Sequence, residues 1–502
     1  MKKIIKYLFL LTGGSFILAS CNDFLDREPL DSVTPDNFFF TENDLAAYAV
    51  KHYNFTTHEG FNAGIWKNDN ATDNQAATDY DKKWIPGQWK VPEAYDNPAS
   101  NDPWYFSAIR EANYFLETVV PRFEKGEIEG SETNIKHYIG EMYFLRAKNY
   151  LSKLETFGDF PIIKNTLPDE SESLIQASKR APRYKVAHFI LEDLDQAISL
   201  LTNNISGGKN RITKNAALLL KSRAALFEAS WLTYHKGTAL VPGSPGWPGK
   251  AEDIADFNID TEIAFFLKEA KAAAKEVIGN AALVQNTAKD CMDETVKTDE
   301  DKYKMSNPYF AQFSANSLEG YSEILMWRAY NLLDYKIVHS APFYIRVGGN
   351  TGFTRQYVES FLCRDGKPIY ATDQYKGDES LLNVRKNRDL RLQLFLMTPG
   401  ETLSPNVMNG TPDLLPEVPQ LLDITEKRCV TGYQVRKGLS GNWYRDGNTA
   451  IEGCPVYRAA EAYLNYIEAD CMEHNGTSIG SEAAGYWRSE ERRVGKECCL
   501  PC

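Results

Sequence analysis

Apolar side chains recur at three- and four-residue spacing in several separate stretches of this chain. Between them the pattern dissolves into Asn, Asp, Gly, Pro and aromatic residues. Ile135, Tyr138, Ile139, Met142 and Leu145, followed by Tyr150, Leu151 and Leu154, lay a stripe along one helix face, which Gly158 can cap and Pro161 must end. Pro182 opens a second helix carrying Val186, Phe189, Ile190, Leu194, Ala197, Ile198 and Leu201. Thr213 is a suitable N-cap for a third, with Ala216, Ala217, Leu220, Arg223, Ala224 and Phe227 in register. Further helices are predicted from about Glu262 to Ile278 and from Val456 to Cys471, the last with Tyr457, Ala460, Leu464, Ile467 and Cys471 on one face. Each is amphipathic, so each must bury its stripe on another helix.

Small residues at helix crossings with large ones beside them are the arrangement of tetratricopeptide-like pairs, although no strict repeat of about 34 residues is visible. The predicted fold is therefore mainly α: a tetratricopeptide-like helix-pair scaffold interrupted by insertions, with a loop-rich part and a few short strands. Glu323–Arg328 and the stretch around Val430 to Arg436 are the clearest strand candidates.

The ends read differently. Lys2, Lys3 and Lys6 precede apolar residues 7–11 and 16–18, the layout of a secretory signal too short and interrupted to remain as a spanning helix. Leu18-Ala19-Ser20-Cys21 resembles a lipobox, which makes residues 1–20 a lipoprotein signal peptide and Cys21 the expected acylated anchor; more than one acyl chain suffices for stable attachment. At the other end, residues 488–502 change character abruptly and carry Cys498, Cys499 and Cys502. They read as translated vector or adapter sequence joined to a truncated gene, leaving residues 21–487 as the expected body.

The formal charge of −12 becomes −15 once the three lysines of residues 1–20 are removed. Such a surface repels phosphate backbones and argues against a nucleic-acid partner. The cysteines of the body are dispersed, with neither a disulfide framework nor metal-ligand spacing.

The segment Cys21-Asn-Asp-Phe-Leu-Asp-Arg-Glu-Pro-Leu-Asp-Ser-Val-Thr-Pro-Asp-Asn-Phe-Phe39 resembles the opening of the SusD/RagB family of outer-membrane nutrient-binding lipoproteins. Its acidic residues also fit the signal such proteins use to reach the cell surface. Gly140-Glu-Met-Tyr-Phe-Leu-Arg-Ala147 followed by Phe157-Gly-Asp-Phe-Pro161 is similar to that family's most recognisable helix and exit. Asp193–Ile198, Ala216–Leu226, Asp365–Ile369, Arg388-Asp-Leu-Arg391, Thr431–Tyr433 and Arg458–Ala469 continue the match in order. The resemblance implies a SusD-like scaffold packed on a loop-rich ligand-holding part, lipid-anchored at the cell surface of the outer membrane. It also implies a partner, a SusC-like TonB-dependent transporter, which the protein caps like a lid over captured oligosaccharide. Family members continue through another helical stretch after the Glu-Ala motif, so the apolar face near Leu464 is expected to be left exposed.

Sugars offer apolar C–H faces and many hydroxyls, so a site for them needs flat aromatic platforms beside polar side chains. Residues 60–103 supply that mixture: Trp66, Trp84 and Trp89 sit among Asp69, Tyr80 and many Asn and Gln, although the same rings could pin a long loop to the scaffold. A second aromatic cluster holds Tyr309, Phe313, Tyr321, Tyr335, Phe343 and Tyr344. The candidate ligand contacts are thus Trp66, Asp69, Tyr80, Trp84, Trp89, Tyr309, Tyr321 and Tyr344. Trp104 opens a helix and reads as core. Trp231, Tyr234 and Trp247 read as structural or transporter-facing.

Hydrolysis is the competing class, and it needs two carboxylates flanking one bond. No local motif isolates such a pair; Glu141, Asp193, Asp195 and Glu461 fall on scaffold helices, where solvated faces would explain them. The seven His are scattered without metal-ligand spacing, and no phosphate-cradling loop is present. The chain is read as a non-enzyme that needs no cofactor or metal, with a ligand-free transporter adaptor as the alternative to glycan binding.

Overall fold

A computed structural model of the chain describes residues 38–79, 85, 104–286, 307–334, 336–399, 402–404, 413–414, 421–422, 425–440 and 448–494. Cys21, Tyr80, Trp84 and Trp89 lie outside these residues. The backbone is mainly helical. The longer helices are α1 (Glu42–Lys51), α2 (Ser107–Lys125), α3 (Glu132–Phe157), α4 (Arg183–Leu200), α5 (Lys214–Tyr234), α6 (Ile259–Asn280), α7 (Ala460–Glu473) and α8 (Ser481–Val494). Their ends follow local chemistry. Thr41 closes α1 with a capping box completed by Asp44, the Thr213 hydroxyl accepts from the Ala216 N–H at the start of α5, and Gly158 takes a positive φ where α3 stops.

From α2 to α8 each long helix packs against the next, and α1 lies on α3. One core runs through this array: the stripe of α3 predicted from Ile135 to Leu154 is buried, as are Val186, Phe189, Ile190 and Leu194 of α4 and Phe266, Ala270 and Val277 of α6. Close approach needs small residues, and a Cβ added to Gly140 of α3 would sit 3.0 Å from Leu201. Trp104 packs edge-on against Phe157 and Phe160 as expected of core, with centroids 4.8 and 5.0 Å apart.

Between α6 and α7 the chain leaves the array as a long insertion with its own small cores. Short strands tie it down: β1 (Gln75–Ala77) pairs antiparallel with β3 (Thr351–Phe353), β2 (Ile324–Arg328) with β6 (Cys454–Arg458), and β4 (Thr402–Ser404) with β5 (Asp413–Leu414). The predicted strand at residues 323–328 is β2. Around Val430–Arg436 there are only isolated bridges, such as Leu396 to Val435.

Two expectations are corrected. Val456 and Tyr457 are not helical but belong to β6, where Tyr457 faces Met326 of β2, so α7 begins only at Ala460 and its buried face is Tyr463, Tyr466 and Ile467. Leu464 is 52% exposed. Glu141 and Asp193 do not lie on solvated faces: both are buried, because neighbouring helices supply arginines. Asp193 of α4 takes Arg146 of α3 at 2.7 Å through both oxygens. Arg211, just before α5, holds Glu141 of α3 at 2.8 and 2.5 Å. The same fork joins Arg183 of α4 to Glu228 of α5 at 3.0 and 2.7 Å, and Arg223 of α5 to Glu461 of α7 at 2.6 and 2.7 Å. Such bidentate pairs fix geometry as well as neutralise charge.

Candidate functional site

The insertion and the loop after α1 meet in a cleft of about 400 Å³ lined by Trp66, Asp69, Gln75, Tyr309, Phe353, Tyr357, Phe361 and Arg391, with His58, Lys437, Arg458 and Glu461 among the remaining lining residues. Its two sides are joined by the β1–β3 ladder, in which Gln75 faces Phe353. The buried Gln75 amide fastens the joint, its two N–H groups shared among the Trp66 carbonyl at 3.0 Å, Asn70 Oδ1 at 2.9 Å and the Thr351 hydroxyl at 2.8 Å.

Trp66 sits in a single 3₁₀ turn, Ile65–Lys67, and its indole N–H donates to the Ala63 carbonyl at 3.2 Å. Two glycines leave room for the ring: Gly64 at φ +137° and Gly349 at φ +54°, where an added Cβ would come within 2.8 and 2.3 Å of the indole. The ring is therefore wedged and only 7% exposed.

The opposite wall is a ladder of half-buried rings. Thr354 accepts from the Tyr357 N–H and starts the short helix Arg355–Ser360. Phe353, Tyr357 and Phe361 follow at four-residue intervals on one side, with centroids 5.3 and 5.0 Å apart. Burial pushes the Tyr357 phenol above its usual range; Arg391 offsets this, while Asp69, Tyr309 and Asp389 add to it. At the far end His58 is buried with its Nδ1 unpartnered, its ring tilted against His339 with centroids 4.8 Å apart. Burial first, and His339 second, depress the imidazole pKa to about 3.

Of the candidates named from sequence, Trp66, Asp69 and Tyr309 line the cleft. Tyr344 is buried in the insertion's core, and Tyr321 packs partly buried beside Leu318 and Trp327; neither is a lining residue. The ring ladder and Arg391 were not named as ligand contacts, although the spacing of Phe353, Tyr357 and Phe361 is a readable signal. Trp231 and Trp247 are tied down structurally, Trp231 under Arg183 at 4.2 Å and Trp247 donating to Asp159 at 2.8 Å, whereas Tyr234 is 73% exposed. Among the described residues no group of His, Cys, Asp or Glu could hold a metal ion, and no helix is long and apolar enough to cross a membrane.

Comparison with known proteins covers most of the chain. A family model described as starch-binding and associating with the outer membrane matches residues 23–226, and the model of the SusD family matches residues 296–487. Two SusD-like proteins of Formosa agariphila are 26% identical over 257 residues and 27% identical over 203, which is 50% and 39% of this chain but only 45% and 37% of theirs. The chain thus spans less than half the length of these curated relatives. Among solved structures, a SusD-like protein from Bacteroides fragilis superposes with TM-score 0.61 at 21% identity, covering 94% of this chain and 82% of that one. A SusD-like carbohydrate binding protein from the same species gives 0.56 at 16% identity, covering 91% and 80%. With the helical array, the insertion and both halves of the sequence in agreement, the chain belongs to the SusD/RagB family.

Proposed function

We propose that this protein binds an oligosaccharide in the cleft and delivers it to a SusC-like TonB-dependent transporter at the outer membrane, tethered at the cell surface through acylated Cys21. The observation that carries the reading is the ring ladder Phe353–Tyr357–Phe361 standing beside Asp69, Gln75 and Arg391. Apolar faces and hydrogen-bonding groups side by side are what a pyranose requires. Tyr80, Trp84 and Trp89, in the same stretch of sequence as Trp66 and Asp69, are proposed as further ligand contacts on their chemistry alone.

The reading is binding without chemistry. The described lining contains two carboxylates, Asp69 and Glu461. Glu461 is engaged through both oxygens by Arg223, so among the described lining residues Asp69 is the one carboxylate without such an arginine fork.

Calorimetry of the chain lacking residues 1–21, titrated with maltoheptaose, xylohexaose and an alginate hexamer, tests the reading. Heat from at least one sugar, with no cleaved product on chromatography, is expected; Tyr357→Ala should weaken that binding by about 10-fold through the lost ring contact. Product formation, or silence across all three sugars, would overturn it. Co-purification with the transporter, and its loss in Cys21→Ala cells together with surface labelling, tests the partner and the tether.

A further inference from the structure

The motif Arg388-Asp-Leu-Arg391 has a structural logic that the ring ladder alone does not use. Arg388 is completely buried, yet its guanidinium meets no carboxylate. It donates instead to the carbonyls of Val358 at 2.7 Å, Glu359 at 3.4 Å and Phe361 at 2.6 Å, and to Val384 at 3.1 Å. Those are the closing carbonyls of helix Arg355–Ser360 and of helix Leu381–Arg385, the groups a helix end leaves unsatisfied. Asp389 accepts from the Arg391 N–H at 2.8 Å, capping helix Leu390–Phe395. The same carboxylate receives Arg391 Nε at 3.2 Å and Nη2 at 2.8 Å. Arg391 therefore has one edge fixed, lies 5.8 Å from the Phe361 centroid and lines the cleft. Its Nη1 has no hydrogen-bond partner among the described residues.

We propose that Arg391 Nη1 is the cleft's fixed donor to ligand oxygens, that Asp389 is the positioning residue that aims it, and that Arg388 holds the ring ladder against it. The ligand it fits is a pyranose that stacks on Tyr357 or Phe361 and presents ring hydroxyl or carboxylate oxygens at its rim. A guanidinium already held on one side loses little freedom when it binds on the other.

This inference rests on the glycan reading, and the experiment separates the two. With whichever of maltoheptaose, xylohexaose or the alginate hexamer binds the wild-type chain, Arg391→Ala should weaken affinity by about 10- to 100-fold, the range for a hydrogen bond to a charged group. Asp389→Asn can still cap the helix but releases the fork, so it should cost about 5- to 10-fold while the melting temperature barely moves. The double variant Asp389→Asn/Arg391→Ala should bind no more weakly than Arg391→Ala alone, because the aspartate acts through the arginine. Wild-type binding that survives either single change, or losses that multiply in the double variant, overturns this inference and leaves the glycan reading standing. Silence of the wild-type chain toward all three sugars overturns both.

Discussion

Arginines are buried in both halves of the molecule, but they do different work in each. In the helical array Arg146 and Arg183 meet carboxylates from the neighbouring helix. In the insertion Arg388 hydrogen-bonds to backbone carbonyls and lies over the Tyr375 ring, with no carboxylate among the described residues bonded to it. The contrast follows from backbone chemistry. Long helices satisfy their own peptide groups along most of their length, so their side chains are free to pair with one another. Short helices consist almost entirely of ends, and the carbonyls left over need a donor. A regular array can cross-link through its side chains, whereas an irregular lobe needs part of that capacity to complete its main chain.

That contrast can be broken experimentally. The largest effect is expected in the array: Arg183→Ala strands Glu228 with no solvent and no counter-ion, and should cost about 3–5 kcal/mol in chemical denaturation. Next comes acidification. His58 is held neutral with a pKa near 3 against 6.5 when unfolded. The unfolded chain therefore takes up the proton first, and stability is full above pH 6.5 and lost as pH falls toward 3. At pH 4.5 this single group should cost about 2–3 kcal/mol, and His58→Phe should flatten the slope in that window.

A smaller and more local effect is expected from Arg388→Met, about 2 kcal/mol, from carbonyls left without a donor. Hydrogen exchange should show faster amides in residues 355–396 and unchanged protection in α3, α4 and α5. Protection lost equally in those helices would mean that the two halves are not energetically distinct. The smallest belongs to the exposed Glu482, whose carboxyl Lys275 and the Tyr466 and Tyr486 hydroxyls hold down to about 2. Its contribution is present above pH 4.5 and fades as pH falls through 2, so Glu482→Gln should shift the melting temperature slightly at pH 7 and progressively less toward pH 2.

The array was legible because a helix stripe repeats locally: Ile135 through Leu154 had only one way to be buried together. Legibility failed where the deciding partner was distant in sequence. Val456 and Tyr457 fit a helical face as well as a strand, and only β2, more than a hundred residues earlier, selects the strand. Glu141 and Asp193 looked solvated because periodicity assigns charges to water and cannot see an arginine arriving from the next helix. In the cleft, composition pointed to the Trp-rich loop, of which Trp66 and Asp69 are lining residues. The opposite wall crosses a strand, a cap and a short helix, so Phe353, Tyr357 and Phe361 never formed one recognisable element.

The pairing of β2 with β6 carries one more consequence. The chain departs after β2 and returns along β6, so the two ends of this excursion share one doorway in the helical wall, and the β1–β3 ladder ties it a second time to the loop after α1. Closing a longer excursion through that doorway adds entropy cost only with the logarithm of its length. Between these two ties the excursion can therefore change length at small entropic cost while the frame stays as it is.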